Sequence, residues 1–175
     1  MKKKIPTYEA IVIGGGISGM YLAYRLRELG MHFRVFEAGS DVGGTWYWCR
    51  YPGARFDSES WSYGYFFDEE LLQEWEWKEH FSPQPDTLEY LNFVAKKYDL
   101  RRDMTFNARV TAAEFDDKGN HWTVTFEDGS QARATLLITG LGVLSEPTLP
   151  NIPGRDEFKG QAFHTARWPH EPVSF

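Results

Sequence analysis

The chain has 175 residues, a formal net charge of −6 and 42% hydrophobic residues. That length suits one domain with a real core, and the acidic balance argues against a nucleic-acid-binding surface. No apolar run reaches the roughly 20 residues needed to cross a bilayer, and the short apolar pieces after Lys2-Lys3-Lys4 do not read as a secretion signal. The three lysines read as a solvated chain start. A single cysteine, Cys49, forms no internal disulfide and fits a cytoplasmic setting. Aromatic residues reach 17% and concentrate between Trp46 and Phe81, more than an ordinary core needs.

In chain order, Tyr8 to Ile13 ends in a β-branched apolar run of the kind that fills a buried parallel strand. Gly14-Gly15-Gly16-Ile17-Ser18-Gly19 follows, and then a helical pattern from Ile17 to Leu29 that stops at Gly30. Strand, Gly-x-Gly-x-x-Gly and helix together make the dinucleotide-binding fingerprint. Gly14 serves the tight turn, Gly16 the approach to a pyrophosphate, and Gly19 the packing of helix on strand. The next strand, His32 to Phe36, ends at Glu37, close to the ~20 residues past the glycines where an acid accepts bonds from a ribose. An acid there repels a 2′-phosphate, so this first site is expected to take FAD or NAD and not NADP.

Asp41 to Asp57 shows no periodicity and reads as a loop rich in Trp and Tyr, in which Gly43-Gly44 allows close backbone approach to a flat cofactor. Arg50, Arg55 and Asp57 bring charge beside these rings and are candidates for chemistry; a loop packed on its own domain with exposed charges is the plainer alternative. A short helix is expected over Glu69 to Trp77, with one of Trp75 and Trp77 buried and the other on a second surface. Asp86-Thr87-Leu88-Glu89 reads as a capping box opening a helix from Asp86 to Tyr98. Three strands are expected after it, Thr105 to Phe115, His121 to Phe126 and Ala132 to Leu137, with Asp128-Gly129 as a hairpin turn. They form an antiparallel meander. Its last strand, apolar on both faces at Thr135 to Ile138, re-enters the central sheet and brings Gly140-Leu141-Gly142 near the ligand. The expected fold class is therefore α/β: a Rossmann-like FAD-binding domain with a parallel sheet and an inserted three-stranded β-meander. It spans residues 1–145, and a proline-rich linker spans 146–175.

Over essentially its whole length the sequence resembles the amino-terminal part of a type I Baeyer–Villiger monooxygenase. The resemblance rests on the fingerprint, on Gly-Gly-Thr-Trp-Tyr-Trp followed by Arg-Tyr-Pro-Gly-Ala-Arg, and on a tail that fills the family's Phe-x-Gly-x-x-x-His-x-x-x-Trp-Pro signature with Phe158, Gly160, His164, Trp168 and Pro169. Overall likeness is greatest to the phenylacetone monooxygenase branch. The resemblance implies a flavoprotein that uses FAD, NADPH and O2 to insert one oxygen beside a ketone carbonyl, through a C4a-peroxyflavin, giving an ester or lactone. It places Gly14, Gly16, Ser18 and Gly19 at the FAD pyrophosphate, Glu37 at the ribose, Gly44, Thr45, Trp46 and Tyr63 along the FAD, and Val110 at the adenine. Arg55, Phe56 and Asp57 border the meeting place of nicotinamide and flavin, and Asp57 is expected to pair with a catalytic arginine. Arg55 and Asp57 are thus the catalytic candidates, and no metal is implied. His164 and Trp168 fall in a linker that couples domain motion to catalysis. The family's second glycine fingerprint, its arginine and its returning segment find no counterpart in these residues, so the chain reads as an incomplete FAD part, inactive alone, whose partner is the missing NADPH-binding remainder. Two other readings stay open: a flavin monooxygenase acting on nitrogen or sulfur, and a non-catalytic FAD-binding module.

Overall fold

A computed structural model describes residues 4–174, which leaves Lys2 and Lys3 of the lysine run outside the described residues. The first elements are β1 (Thr7–Ile13), α1 (Ile17–Glu28) and β2 (Phe33–Phe36), followed by the short turns of helix α2 (Thr45–Trp48), α3 (Ser60–Tyr63) and α4 (Glu69–Glu74). The long helix α5 (Gln84–Lys97) leads through a 3-10 turn at Leu100–Asp103 to β3 (Met104–Thr105), β4 (Val110–Asp116), β5 (His121–Phe126) and β6 (Gln131–Thr139). Two compact units result. One comprises the chain up to Gly44 with Leu91–Gly142, the other Thr45–Tyr90 with the residues from Val143 onward.

The first unit is built on one six-stranded sheet in the order β3-β2-β1-β6-β5-β4. β1 pairs in parallel with β2 on one side and with β6 on the other, from Thr7 opposite Arg133 to Ile13 opposite Thr139. β5 runs antiparallel to both β4 and β6. The meander and the return of its last strand to the central sheet, both expected from the sequence, are therefore present in one continuous sheet. Helix α1 ends as the sequence implies: Gly30, at φ +68°, donates to Arg27 O at 3.0 Å and Met31 N donates to Leu26 O at 3.0 Å, the paired bonds of a Schellman closure. Arg27 then ties the helix to the 3-10 turn, donating to Asp103 Oδ2 and to the carbonyls of Tyr98 and Asp99. The core of the sheet gathers Ile11, Phe36, Val124, Phe126, Ala132 and Ala134, with the Phe36 and Phe126 rings 4.6 Å apart.

Four expectations need correction. Thr105 to Phe115 is not one strand: Met104–Thr105 joins β2 in parallel at the sheet edge, and the chain then turns through Asn107 (φ +54°) before β4 begins. Leu136 on β6 is 48% exposed, so the strand that reads as apolar on both faces is left uncovered at the end of the face it shares with the buried Ala132 and Ala134. In the second unit, α5 begins at Gln84 and not at Asp86. Pro83 O accepts both the Thr87 N–H and its hydroxyl, Pro85 is tolerated where first-turn N–H groups lack helical acceptors, and Asp86 instead meets Lys78 Nζ at 3.5 Å. Trp75 and Trp77 are both half-buried, each ring against Tyr90 at 5.2 and 4.9 Å. Helix α4 is capped by Asp68, whose carboxylate accepts from Glu70 N and Leu71 N. Among the described residues no helix is long and apolar enough to cross a membrane.

Candidate functional site

In the first unit the site residues gather where β1 meets α1. Gly14 N donates to Phe36 O at 2.8 Å and Gly140 N to Ile13 O at 2.7 Å, so the glycine turn is bound to the ends of β2 and β6. It has no room for side chains: a Cβ on Gly19 would lie 1.8 Å from Gly14 O, and one on Gly14 would lie 2.4 Å from Gly140 O. Gly16 is the helix N-cap and supplies no side-chain acceptor, and the first turn carries no acidic residue. A capless start of a 12-residue helix favours an anion. Ser18 is exposed in that first turn.

Glu37 is only 5% exposed. Its Oε2 accepts Gly15 N–H and its Oε1 accepts Gly39 N–H, both at 2.6 Å. Each carboxylate oxygen retains a further lone pair for a hydroxyl donor. Gly43 N donates to Gly15 O at 3.1 Å, and Gly44, at φ +51°, sits so near Gly16 that a Cβ would fall 2.7 Å from Gly16 Cα. Asp41, just ahead of these two glycines, is held by Arg101 Nε at 2.8 Å, a tie between distant positions that carries no local sequence signal. Asn107 N and Ala108 N donate to the carbonyls of Gly39 and Glu37, and Val110, half-buried, opens β4 just beyond. A side-chain-free turn, an uncapped helix start and a buried acid fit a dinucleotide with a free ribose hydroxyl, while the carboxylate opposes a 2′-phosphate by like charge.

In the second unit, α2 follows Gly44 directly, with Thr45 half-buried and Trp46 buried. Trp46 Nε1 donates to Tyr63 Oη at 2.9 Å, and Phe56 stacks on Tyr63 with ring centroids 4.2 Å apart at 8°. Gln84 Nε2 donates to Trp46 O at 2.5 Å. Burial pushes the Tyr63 phenol up, the Trp46 bond pulls it back, and the charge of Asp57 raises it further. The phenol is therefore neutral and available as an acceptor. For Tyr63→Phe we expect a loss of about 1–3 kcal/mol from the indole N–H left without an acceptor, read as a lower urea midpoint at unchanged slope.

Arg55 and Asp57 are both exposed and do not pair with each other. Arg55 Nη1 reaches Glu79 Oε2 at 3.1 Å and Phe81 O at 2.7 Å. The segment 79–84 that receives it is pinned by buried serines, Ser60 Oγ meeting Ser82 Oγ at 2.8 Å and Glu79 O at 2.6 Å, and by Gln84 N bonding to Ala54 O. Sequence reasoning missed Ser60, Ser82 and Gln84, since a single polar residue at the first position of a helix, as at 60 and 84, or in a loop, as at 82, carries no pattern. Of the signature residues, Phe158 (65% exposed) and Gly160 face solvent, while His164, Trp168 and Pro169 are half-buried. The Trp168 ring lies 5.3 Å from Phe163, and His170 packs on Tyr47 and Trp48.

The sequence pattern of the NAD(P)-binding Rossmann-like domain matches residues 12–63. The chain is 48% identical to acetone monooxygenase (methyl acetate-forming) of Gordonia sp. strain TY-5 over 97% of this chain and 32% of that protein. It is 45% identical to a Baeyer–Villiger monooxygenase of Pseudooceanicola batsensis over 93% of this chain and 30% of that one. The chain is a homologue of the Baeyer–Villiger monooxygenases. Its fold agrees: the crystal structure of OTEMO in complex with FAD and NADP superposes with a TM-score of 0.87 at 46% identity, over 95% of this chain and 31% of that one. The chain thus spans about a third of the length of the relatives it matches.

Proposed function

We propose that this chain supplies the FAD-holding part of an FAD- and NADPH-dependent monooxygenase that inserts one oxygen of O2 beside a ketone carbonyl, giving an ester or lactone. The observation that carries this reading is the 45–48% identity across nearly the whole chain to a methyl acetate-forming acetone monooxygenase and a Baeyer–Villiger monooxygenase. Bound flavin supplies the hydride-accepting and oxygen-activating chemistry. The chain's own residues bind and shield. Gly14, Gly16, Ser18 and Gly19 hold the pyrophosphate at the α1 start, and Glu37 accepts from the ribose with the lone pairs its two backbone bonds leave. Val110 meets the adenine through its main chain. Gly44, Thr45, Trp46 and Tyr63 lie along the cofactor, and the apolar faces of Trp46, Phe56 and Tyr63 keep water from it. Arg55, Phe56 and Asp57 border the nicotinamide, and because Arg55 is engaged by Glu79 and the Phe81 carbonyl, the exposed Asp57 carboxylate is left to hold a cation from elsewhere in the enzyme. The ketone and O2 are the small-molecule partners, and the rest of the enzyme is the protein partner.

The test is a chimera in which these 175 residues replace the matching third of acetone monooxygenase. We expect a yellow, FAD-loaded protein that forms methyl acetate from acetone with NADPH consumption, while the 175-residue chain alone forms none. An FAD-loaded chimera that consumes NADPH without making ester, or that oxidises only amines or sulfides, overturns the reading.

A further inference from the structure

The tail contains a histidine whose chemical task the proposed function leaves open. His164 precedes the 3-10 turn Thr165–Arg167 in extended backbone (φ −92°, ψ 137°), and its Nδ1 accepts the Ala166 N–H at 3.1 Å. That is the position and the bond of an N-cap, made by an imidazole in place of the usual Asn, Asp or Ser. An imidazole nitrogen accepts only when it carries no proton, so the bond requires the neutral ring with hydrogen on Nε2. Among the described residues no carboxylate or hydroxyl is bonded to the ring, as the orienting partner of a general base would be.

The capped turn has a defined seat within its unit. Ala166 is buried, and the turn packs on α2, where Cys49 follows the last helical residue and is itself buried. The Arg167 guanidinium lies close enough to Cys49 to oppose the upward push that burial gives its thiol. The same guanidinium donates to Ser145 O at 3.2 Å and meets Glu146 at 3.7 Å, which closes the loop between residues 145 and 167. Helix α2 also carries Trp46, held by Tyr63 at its indole and by Gln84 at its carbonyl. A brace on one end of this four-residue helix therefore acts on the setting of Trp46.

We propose that His164 is a positioning residue: as a neutral hydrogen-bond acceptor it caps the turn 165–167 and thereby holds that turn against α2. Its bearing on flavin rests on the proposed role of Trp46, but the cap itself does not. Two measurements on the 175-residue chain without flavin test it. Imidazole 15N NMR should show His164 Nδ1 unprotonated and Nε2 protonated at neutral pH. Cys49, the single cysteine, reports opening of the seat through its rate of labelling by a thiol reagent. His164→Ala should speed that labelling about tenfold, the usual worth of a lost cap, whereas His164→Asn, which restores a side-chain acceptor, should return it to within about twofold of the parent. A proton on Nδ1, an Asn variant as open as the Ala variant, or an Ala variant labelled at the parent rate overturns the proposal. None of these readouts involves flavin, so a failure of FAD binding leaves them interpretable.

Discussion

Gly19→Ala should abolish FAD retention and lower the stability of the chain by more than ~3 kcal/mol, the upper range for overpacking. The added methyl would sit 1.8 Å from Gly14 O and 2.9 Å from the carbon behind it. Both belong to a backbone fixed on either side, by Gly14 N on Phe36 O and by Gly140 N on Ile13 O, so neither strand can withdraw without losing a ladder bond. Gly30→Ala is the control. Gly30 has φ +68° and nothing within 4 Å of an added Cβ, so it should lose only the ~1 kcal/mol of a left-handed alanine and keep its flavin. Urea midpoints and flavin absorbance after gel filtration separate the two. Equal effects at Gly19 and Gly30 would show that closeness of helix and strand is not what the third fingerprint glycine supplies.

The contrast between these glycines also explains what could be read from the sequence. The turn from Ile13 to Glu37 was legible because each requirement is local. A buried strand, a glycine wherever backbone touches backbone and an acid at the end of the second strand occupy fixed offsets. The α1 stop at Gly30 and the return of β6 to β1 were legible for the same reason: one needs a left-handed residue and the other a doubly apolar strand. Where two local signals competed, the sequence misled. Asp86-Thr87-Leu88-Glu89 is a sound capping pattern, but the Pro83 carbonyl and Pro85 start α5 earlier and leave Asp86 and Glu89 to Lys78. Contacts between distant positions left no mark at all. Arg55 turns to Glu79 and Phe81 because the buried Ser60–Ser82 pair brings segment 79–84 alongside it, and no spacing rule predicts that meeting. The second tryptophan of the pair at 75 and 77 is not exposed because Tyr90, from α5, offers one ring to both.

Glu37→Gln should separate building the turn from binding the ribose. The carboxylate accepts two backbone N–H groups at 2.6 Å, one from Gly15 in the turn and one from Gly39 beyond the strand, in a position 5% exposed. An amide has one acceptor oxygen. Its NH2 group must face either Gly15 N–H or Gly39 N–H, donor to donor, and one buried N–H loses its partner. The expected cost is about 2–4 kcal/mol in the flavin-free chain, a charge-assisted bond together with an unsatisfied donor. FAD affinity should fall by more than the roughly tenfold that one lost ribose bond gives, because the Gly15 amide that helps shape the pyrophosphate turn moves as well. Denaturation of the flavin-free chain and FAD titration by fluorescence measure the two effects independently. Lower stability with unchanged FAD affinity would leave Glu37 as a builder of the turn alone and remove it from the ribose. Lower affinity at unchanged stability would mean that the two 2.6 Å bonds contribute little to folding, and that the acid is held there for the nucleotide.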